Sequence, residues 1–277
     1  MANRNFHVHL VSDSTGETVS SVARACLVQY EGIFVQEHVW SLVRTTGQMN
    51  KIMQAVERDR GPVVYTLVDA ELRDQLRDQC RRLQLPCVGV LDQAMSVLAV
   101  HFHSKSEQWP GRQHQLDEGY FDRIDAMHYT LAHDDGQSTH DIDDADVILV
   151  GPSRTSKTPT CVYLANRGVR AANVPLVPAV APPVELEQAT RPLIVGLITD
   201  PERLVQIRVN RLRLLQRDTE TEYTDMEQVQ SEIQEARRLY ARRKWATIDV
   251  TRRSIEETAA AILQMLATRR EQRLQAE

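Results

Sequence analysis

The chain has 277 residues, which at roughly 150 residues per domain predicts two domains. Hydrophobic residues make up 42% and charged residues 26%, a composition that argues against intrinsic disorder and predicts a globular protein. The 33 Lys and Arg against 38 Asp and Glu give a net charge of −5. Such a chain offers no overall field that attracts nucleic acid, so we expect no nucleic-acid partner.

The cysteines and the apolar segments indicate the compartment. Cys26, Cys80, Cys87 and Cys161 show no C-x-x-C spacing, and each lies in an apolar or helical context, so we expect reduced thiols. The N-terminus has no signal-peptide pattern, and no run of about 18 apolar residues follows. We therefore expect a cytoplasmic protein without a membrane partner.

The first half of the chain, from residue 6 to about residue 103, alternates short apolar runs with helical periods. This alternation is typical of parallel strands joined by crossover helices. The apolar stripe of the first helix is the clearest and should pack on the sheet. It comprises Val19, Val22, Ala23, Cys26, Leu27 and Tyr30. The predicted strands are 6–12, 33–43, 62–68 and 86–91.

Between residues 104 and 145 the periodicity gives way to a polar stretch that contains Trp109, Pro110 and Gly111. Such a stretch suits a connector or an ordered active-site insertion. The acidic run 141–146 at its end favours a solvated loop over a metal site, because it leads directly into a strand. We therefore predict a domain of residues 1–145, with its connector, and a second domain of residues 146–277.

The second half predicts the element order β-α-β-β-α-α-β-α. A proline-rich surface segment, with four prolines between residues 175 and 183, precedes the third strand. Three helix starts carry capping signals, at Asp200-Pro201, Asp225-x-x-Gln228 and Ser254-x-x-Glu257. The predicted strands are 147–150, 171–177, 193–199 and 245–250. The fold class is thus α/β, with a mostly parallel N-terminal domain. Because residues 151–158 nearly match the phosphate-binding pattern G-x-x-x-x-G-K-[ST], the C-terminal domain is predicted to be a P-loop kinase-like α/β domain.

Residues 151–158 match the phosphate-binding pattern G-x-x-x-x-G-K-[ST] at every fixed position except one, where serine replaces glycine. An apolar strand precedes this segment and a helix-compatible segment follows it, as the pattern requires. Backbone N–H groups of such a loop bind phosphate oxygens, the lysine neutralises them, and the final hydroxyl can ligate Mg²⁺. The predicted nucleotide-binding residues are Gly151, Pro152, Ser153, Arg154, Thr155, Ser156, Lys157 and Thr158.

The departure at Ser156 has a cost, because a left-handed conformation of a non-glycine residue is unfavourable by roughly 1–2 kcal/mol. We therefore expect the loop to be strained or to have a different shape. Arg154 and Lys157 supply two positive charges three residues apart. The alternative is a helix cap rich in Ser and Thr that binds no ligand.

Acidic and basic side chains near this loop are the candidates for catalysis. Asp200 ends a neighbouring apolar strand and could hold Mg²⁺ together with Thr158, or it could merely cap the next helix. The segment His133-Asp134-Asp135-Gly136 could orient or deprotonate a hydroxyl acceptor, or it could form an Asx-type turn. We take Lys157, Asp135, His133 and Asp200 as candidate catalytic residues.

The N-terminus contains a second strand, hydroxyl-rich turn and helix, around Ser12-Asp13-Ser14-Thr15-Gly16. Asp13 argues against a simple anion site, so we expect helix capping here.

Five strings, in order along nearly the whole chain, closely resemble the pyruvate, phosphate dikinase regulatory protein family, which includes regulators of phosphoenolpyruvate synthase. They are Val11-Ser-Asp-Ser-Thr-Gly-Glu-Thr18, Tyr129-Thr-Leu-Ala-His-Asp-Asp-Gly136, Gly151-Pro-Ser-Arg-Thr-Ser-Lys-Thr-Pro-Thr160, Ala171-Ala-Asn173 and Thr199-Asp-Pro-Glu-Arg-Leu204. The loop is similar to that of the dikinase branch, although Pro152 departs from the family's usual Val or Ile.

The resemblance implies a bifunctional enzyme. Members phosphorylate a threonine of pyruvate, phosphate dikinase with ADP as donor, release AMP and inactivate the target. They also reverse this with inorganic phosphate and release pyrophosphate. By the family pattern, residues 151–158 contact the nucleotide, and the protein is a homodimer through its N-terminal half. The chemistry of the loop, rather than the resemblance, makes Mg²⁺ the expected cofactor.

Two other functions are compatible with the residues alone. A P-loop kinase for a small metabolite would need a concave acceptor pocket in one subunit, whereas a protein-directed enzyme would leave its loop open. A nucleotide-sensing module would bind ADP without transferring phosphate.

Overall fold

A computed structural model describes residues 6–107, 109–111, 118–178, 180–219 and 221–276. The chain forms two compact units, Met1–Gln115 and Leu116–Glu277. The units divide between residues 115 and 116 rather than between 145 and 146. The difference arises because the helix Glu118–Ala132 belongs to the second unit, where Ala126 is fully buried and Thr130 Oγ1 accepts a hydrogen bond from Ala171 N at 3.2 Å.

The first unit is an α/β unit whose four described strands are all parallel. Its strand order β2-β1-β3-β4 confirms the predicted parallel arrangement. The second strand is shorter than predicted. The elements are β1 Phe6–Ser12, α1 Glu17–Leu27, β2 Val35–Trp40, α2 Thr46–Arg58, β3 Val63–Thr66, α3 Ala70–Arg82, β4 Cys87–Gly89 and α4 Asp92–His101.

Only part of the apolar stripe of α1 packs as predicted. Val19 and Ala23 are buried, and Leu27 packs against them. Val22 is 38% exposed and Tyr30 is 62% exposed. The stripe consists of two adjacent rows that both have i, i+4, i+8 spacing, and the row of Val19, Ala23 and Leu27 is the one that packs against β1.

The second unit also contains a parallel four-stranded sheet, in the order β6-β5-β7-β8. It has two helices that the sequence pattern did not predict, α5 and the short α7. The elements are α5 Glu118–Ala132, β5 Val147–Gly151, α6 Lys157–Ala165, β6 Ala171–Pro175, α7 Val184–Gln188, β7 Leu193–Ile198, α8 Pro201–Leu214, α9 Met226–Arg243, β8 Ala246–Asp249 and α10 Ile255–Ala276.

The predicted helix starts are observed. The Asp200 and Asp225 side chains accept hydrogen bonds from Arg203 N and Gln228 N, three residues on. Ser254 and Glu257 form a reciprocal capping box. Among the residues described, no helix combines the length and apolar character that crossing a membrane would need.

The two sheets share one topology. In each, the first strand lies second from the edge, with the next strand on one side and the third on the other. The direction of winding therefore reverses at the carboxyl ends of β1 and β5, where open α/β sheets bind their ligands.

Candidate active site

The loop between β5 and α6 lies at the switch point of the second sheet. Every residue of β5 is buried. The strand ends at Gly151, where a Cβ atom would lie 2.7 Å from the Leu197 carbonyl oxygen. Glycine is therefore required at the start of the loop, and the strand, loop and helix follow one another as the phosphate-binding pattern predicts.

Ser156 adopts the left-handed conformation that the missing glycine would provide, with φ 61° and ψ 23°. Arg154 also has a positive φ, of 73°. These two values explain how the loop keeps its turn without the second glycine, and they confirm the expected strain. No described side chain caps the N-terminus of α6, so helix capping does not account for the loop's hydroxyl groups.

Lys157 is buried beneath the loop, with 5% of its surface exposed. Its Nζ donates hydrogen bonds to the carbonyl oxygens of Gly151 and Pro152, both at 2.9 Å. Burial lowers the pKa of Lys157 to about 8, and the nearby Asp135 carboxylate opposes that shift. An anion that replaced these carbonyl partners would favour the charged form of the lysine.

A polar cluster joins the start of α6 to the turn Asp134–Gly136. Thr158 Oγ1 donates to Asp134 Oδ1 at 2.9 Å. Asn173 Nδ2 lies 2.6 Å from Asp134 Oδ1, 3.1 Å from Asp135 Oδ1 and 2.9 Å from Thr158 Oγ1. Two carboxylates and the loop's final hydroxyl are thus held together by one buried amide.

Asn173 is a residue of this site that our sequence reasoning did not select. It is 1% exposed and lies in the otherwise apolar strand β6. Its Oδ1 atom is buried and has no hydrogen-bond partner among the described residues. A polar side chain within a buried strand was the available signal, because such a group is costly unless it has a partner or a role.

Asp135 is exposed at the tip of the turn and has a positive φ of 51°. Gly136 follows with φ 71°. This uncommon backbone holds Asp135 next to Asn173 while leaving its carboxylate accessible to solvent. Asp135 is therefore the candidate carboxylate that an external hydroxyl can reach.

His133 is buried, and both of its ring nitrogens have partners in the fold. Its Nδ1 lies 2.7 Å from the Tyr129 carbonyl oxygen and its Nε2 lies 2.7 Å from Asp141 Oδ1. The ring stacks on Tyr129 with centroids 3.9 Å apart. The hydrogen bond from His133 lowers the pKa of Asp141. With both nitrogens engaged, His133 is placed to anchor the turn.

Asp200 lies at the carboxyl end of β7 as the N-cap of α8. Its carboxylate accepts a hydrogen bond from Arg203 N at 3.1 Å, and its N–H donates to Thr251 Oγ1 at 2.8 Å. The hydrogen bonds of Thr158 go instead to Asp134 and Asn173. Asp134 therefore lies next to the loop hydroxyl, and Asp200 caps α8, which is one of the two roles that the sequence allowed for it.

Arg208 is a second residue that our sequence reasoning did not select, and its buried side chain forms a hydrogen bond with the backbone of the loop. It is 2% exposed and forms an ion pair with the buried Glu232 at 2.8 Å. Its Nη2 donates to Ser153 O at 3.2 Å and its Nη1 to Tyr223 O at 3.1 Å, with the guanidinium 4.3 Å from the Tyr223 ring centroid. The loop and residue 223 are therefore tied to one buried cation.

The corresponding loop of the first unit has different chemistry. Gly16, with φ 87°, is the N-cap of α1, so the expected capping is not made by a side chain. Asp13 is 3% exposed, and its Oδ2 accepts a hydrogen bond from Val68 N at 2.7 Å. Burial raises the pKa of Asp13. This loop therefore contains a buried carboxyl group at Asp13, whereas the loop of the second unit contains a buried amino group at Lys157.

A parallel sheet, a switch-point loop with a buried lysine, and adjacent carboxylates define an α/β enzyme of the kinase type. The sequence matches the kinase/pyrophosphorylase family over residues 8–263. The chain belongs to this family.

Curated relatives agree with that assignment. The chain is 53% identical to a Rhodospirillum rubrum protein, over 97% of this chain and 98% of that one. It is 53% identical to a Paramagnetospirillum magneticum protein, over 98% and 87%, and 51% identical to a Caulobacter vibrioides protein, over 95% and 83%. All three bear the provisional name pyruvate, phosphate dikinase regulatory protein.

Proposed function

We propose that this enzyme regulates pyruvate, phosphate dikinase by two opposed reactions on one threonine of that target. In the first, ADP phosphorylates and inactivates the dikinase. In the second, inorganic phosphate removes the phosphoryl group and restores activity. The observation that carries the proposal is the contact of Thr158 with Asp134 beside the buried Lys157. Family membership and the names of the relatives support the choice of target.

In the kinase direction, Lys157 would exchange its two carbonyl partners for phosphate oxygens of ADP. Asp135 would accept the proton of the target threonine as its oxygen attacks the β-phosphorus. The bond from that phosphorus to the bridging oxygen breaks, and AMP leaves. His133 and Asn173 position the turn, because Asn173 N donates to His133 O at 3.0 Å.

In the reverse direction, an oxygen of inorganic phosphate would attack the phosphorus of phosphothreonine. The bond to the threonine oxygen breaks and pyrophosphate leaves, while Asp135 takes a proton from the attacking phosphate and passes it to the threonine oxygen. Arg154 is exposed on the loop and supplies positive charge on the solvent side. Both directions use the loop residues 151–158 in the same roles.

A magnesium ion fits the oxygen donors at this site. Within the described ranges, no group of three or more His, Cys, Asp or Glu side chains could hold a metal ion by itself. Mg²⁺ commonly combines one or two carboxylates with water and substrate phosphates, and when bound it would neutralise phosphate charge. Asp134, Thr158 and the unpartnered Asn173 Oδ1 would contribute, and Asp200, the N-cap of α8, is the other candidate.

The exposure of Asp135 favours a protein acceptor over a small metabolite, because the carboxylate is accessible from solvent. The test mixes the protein with ADP and purified dikinase phosphorylated on its catalytic histidine, and maps phosphothreonine by mass spectrometry. We expect one modified threonine, loss of dikinase activity, and reversal on adding phosphate with pyrophosphate released. ADP consumption on small metabolites without modification of the dikinase would overturn the proposal.

Two further arms of this experiment test the choice of target and the role of Lys157. Phosphoenolpyruvate synthase replaces the dikinase in one arm, and preferential modification of it would reassign the target. Lys157→Ala replaces the wild type in the other and should need on the order of 10- to 150-fold more ADP to modify the target at the same rate. ADP binding without transfer to any acceptor would instead indicate a nucleotide sensor.

The proposal includes a cytoplasmic homodimer formed through the first unit. The exposed row of α1, with Val22 and Tyr30, supplies apolar surface for such a contact. Light scattering coupled to size exclusion should give twice the chain mass. A monomeric mass at micromolar concentration would remove this element of the proposal.

A further inference from the structure

A cavity of about 260 Å³ opens at the amino-end edge of the second sheet. Asp146 and Arg170 immediately precede β5 and β6, and Arg191 precedes β7. The facing wall is α10, which contributes Leu266 and three arginines. We call this the arginine cavity, and its arginines are Arg170, Arg191, Arg269, Arg270 and Arg273.

The cavity has a large local excess of positive charge in a chain whose net charge is −5. Five guanidinium groups face two carboxylates, those of Asp144 and Asp146, so three positive charges are in excess. Arg191 pairs with Asp144 at 2.8 Å and Arg270 pairs with Asp146 at 3.4 Å. Among the described residues, no carboxylate lies within ion-pair distance of the other three arginines.

The fold holds two of those arginines in place. Arg269 Nη2 donates to Thr190 O at 3.3 Å, and Arg273 Nη2 donates to Arg191 O at 3.2 Å. The two are four residues apart on α10, where like charges repel each other. Burial and the neighbouring Arg273 lower the pKa of Arg269. Each guanidinium has five N–H donors, so these contacts leave most of them available to a ligand.

The arrangement suits an anion with several charged oxygens. Guanidinium groups bind phosphate through paired N–H donors, and here they approach from the strand edge and from a helix. A single carboxylate would neutralise only one of the three excess charges, whereas a chain of phosphates neutralises all of them.

We propose that the arginine cavity binds a small multivalent phosphate anion, either a free inorganic polyphosphate or the phosphates of a nucleotide. This site is separate from residues 151–158, which we call the phosphate loop, because β5 lies between them and its five residues span about 3.3 Å each. It is independent of the proposed function, since residues 151–158 do not line it.

The test titrates the full chain with inorganic triphosphate in a calorimeter. Every protein in the test also carries Lys157→Ala, which weakens phosphate binding at residues 151–158. The test variant is Arg269→Ala with Arg273→Ala. The control is Arg82→Ala with Arg238→Ala, which removes two exposed arginines outside the cavity. We expect triphosphate affinity to fall by about ten-fold or more in the test variant and by less than about two-fold in the control.

Further arms identify the ligand class and guard against misfolding. Competition by ADP for the same heat signal would assign a nucleotide as the source of the phosphates, and its absence would assign a free polyphosphate. Arg170→Ala, which leaves α10 intact, should weaken binding by itself. Equal triphosphate affinity in the test variant and the control would overturn the proposal, as would citrate binding as tightly as triphosphate.

Discussion

The two units have the same strand order but opposite chemistry at the same place. In the first, the loop after β1 buries the Asp13 carboxylate, which accepts a hydrogen bond from Val68 N. In the second, the loop after β5 buries the Lys157 ammonium, which donates to two carbonyl oxygens. The shared topology therefore places a loop where a ligand can bind in each unit. The residues of each loop decide whether that ligand would lie near a carboxylate or near an ammonium group.

Burial disfavours the charged form in both loops, since it raises the pKa of Asp13 and lowers that of Lys157. Different ligands would offset the cost of burying these two charges. An anionic ligand stabilises the ammonium, whereas the carboxylate would need a proton or a cation. This difference supports the proposed phosphate chemistry in the second unit, and variants in the two loops can test it.

The largest effect should come from the exposed acid of the second unit. Asp135→Asn removes the proposed proton acceptor, and we expect the rate of phosphoryl transfer to fall about 10²- to 10⁴-fold while ADP affinity changes little. The matched variant is Asp13→Asn in the first unit, which should transfer at the wild-type rate. A timed phosphothreonine assay compares them, and equal losses in the two variants would end the distinction between the units.

The next effect concerns the support beneath the phosphate loop. Arg208→Met leaves Glu232 buried without its partner, which should lower the free energy of unfolding by about 3–5 kcal/mol. The double variant Arg208→Met with Glu232→Leu should recover most of that stability. Urea denaturation measures both. If the single variant is as stable as the wild type, the ion pair does not support the loop.

Lys157→Ala removes a charge-assisted contact worth roughly 1.5–3 kcal/mol, so ADP affinity should fall on the order of 10- to 150-fold. The matched control is Lys51→Ala, an exposed lysine of α2 in the first unit. Calorimetry of ADP binding gives both values. Wild-type affinity in Lys157→Ala would remove the phosphate-loop assignment.

The smallest effect is a pH dependence. The folded-state pKa of Lys157 is lowered to about 8, below its ordinary value of 10.5. Its ionisation therefore opposes folding, and the penalty is present below pH 8 and disappears as the pH rises through 10.5.

A phosphate ligand needs the charged lysine, so ADP affinity should decline above pH 8, by at most about ten-fold per pH unit, with proton uptake on binding. Lys157→Arg keeps its charge and should abolish that decline. Calorimetry at pH 7, 8 and 9 in buffers of different ionisation enthalpy measures both quantities. A flat profile for the wild type would contradict the shifted lysine.

Local signals predicted most of the second unit's scaffold. The apolar run of β5, the loop pattern and the capping box at Ser254 each depend on neighbouring residues, and all three are observed. The helix α5 was missed because its buried positions include Ala126 and Thr130, whereas Phe121 and Leu131 are exposed. Hydrophobic periodicity cannot reveal a helix that packs through small and polar side chains.

The candidate site also combines features that the sequence indicates with contacts that only the fold brings about. The sequence by itself determined the α/β class, the parallel strands, the strand, loop and helix of β5 and α6, and the family resemblance, because each depends on residues close together along the chain. Only the tertiary structure decided that Thr158 forms a hydrogen bond with Asp134, and that Asn173 bonds to both residues. The same holds for the hydrogen bond from Arg208 to the loop at Ser153. Those contacts join residues far apart along the chain, and their distances are set by how strands and helices pack.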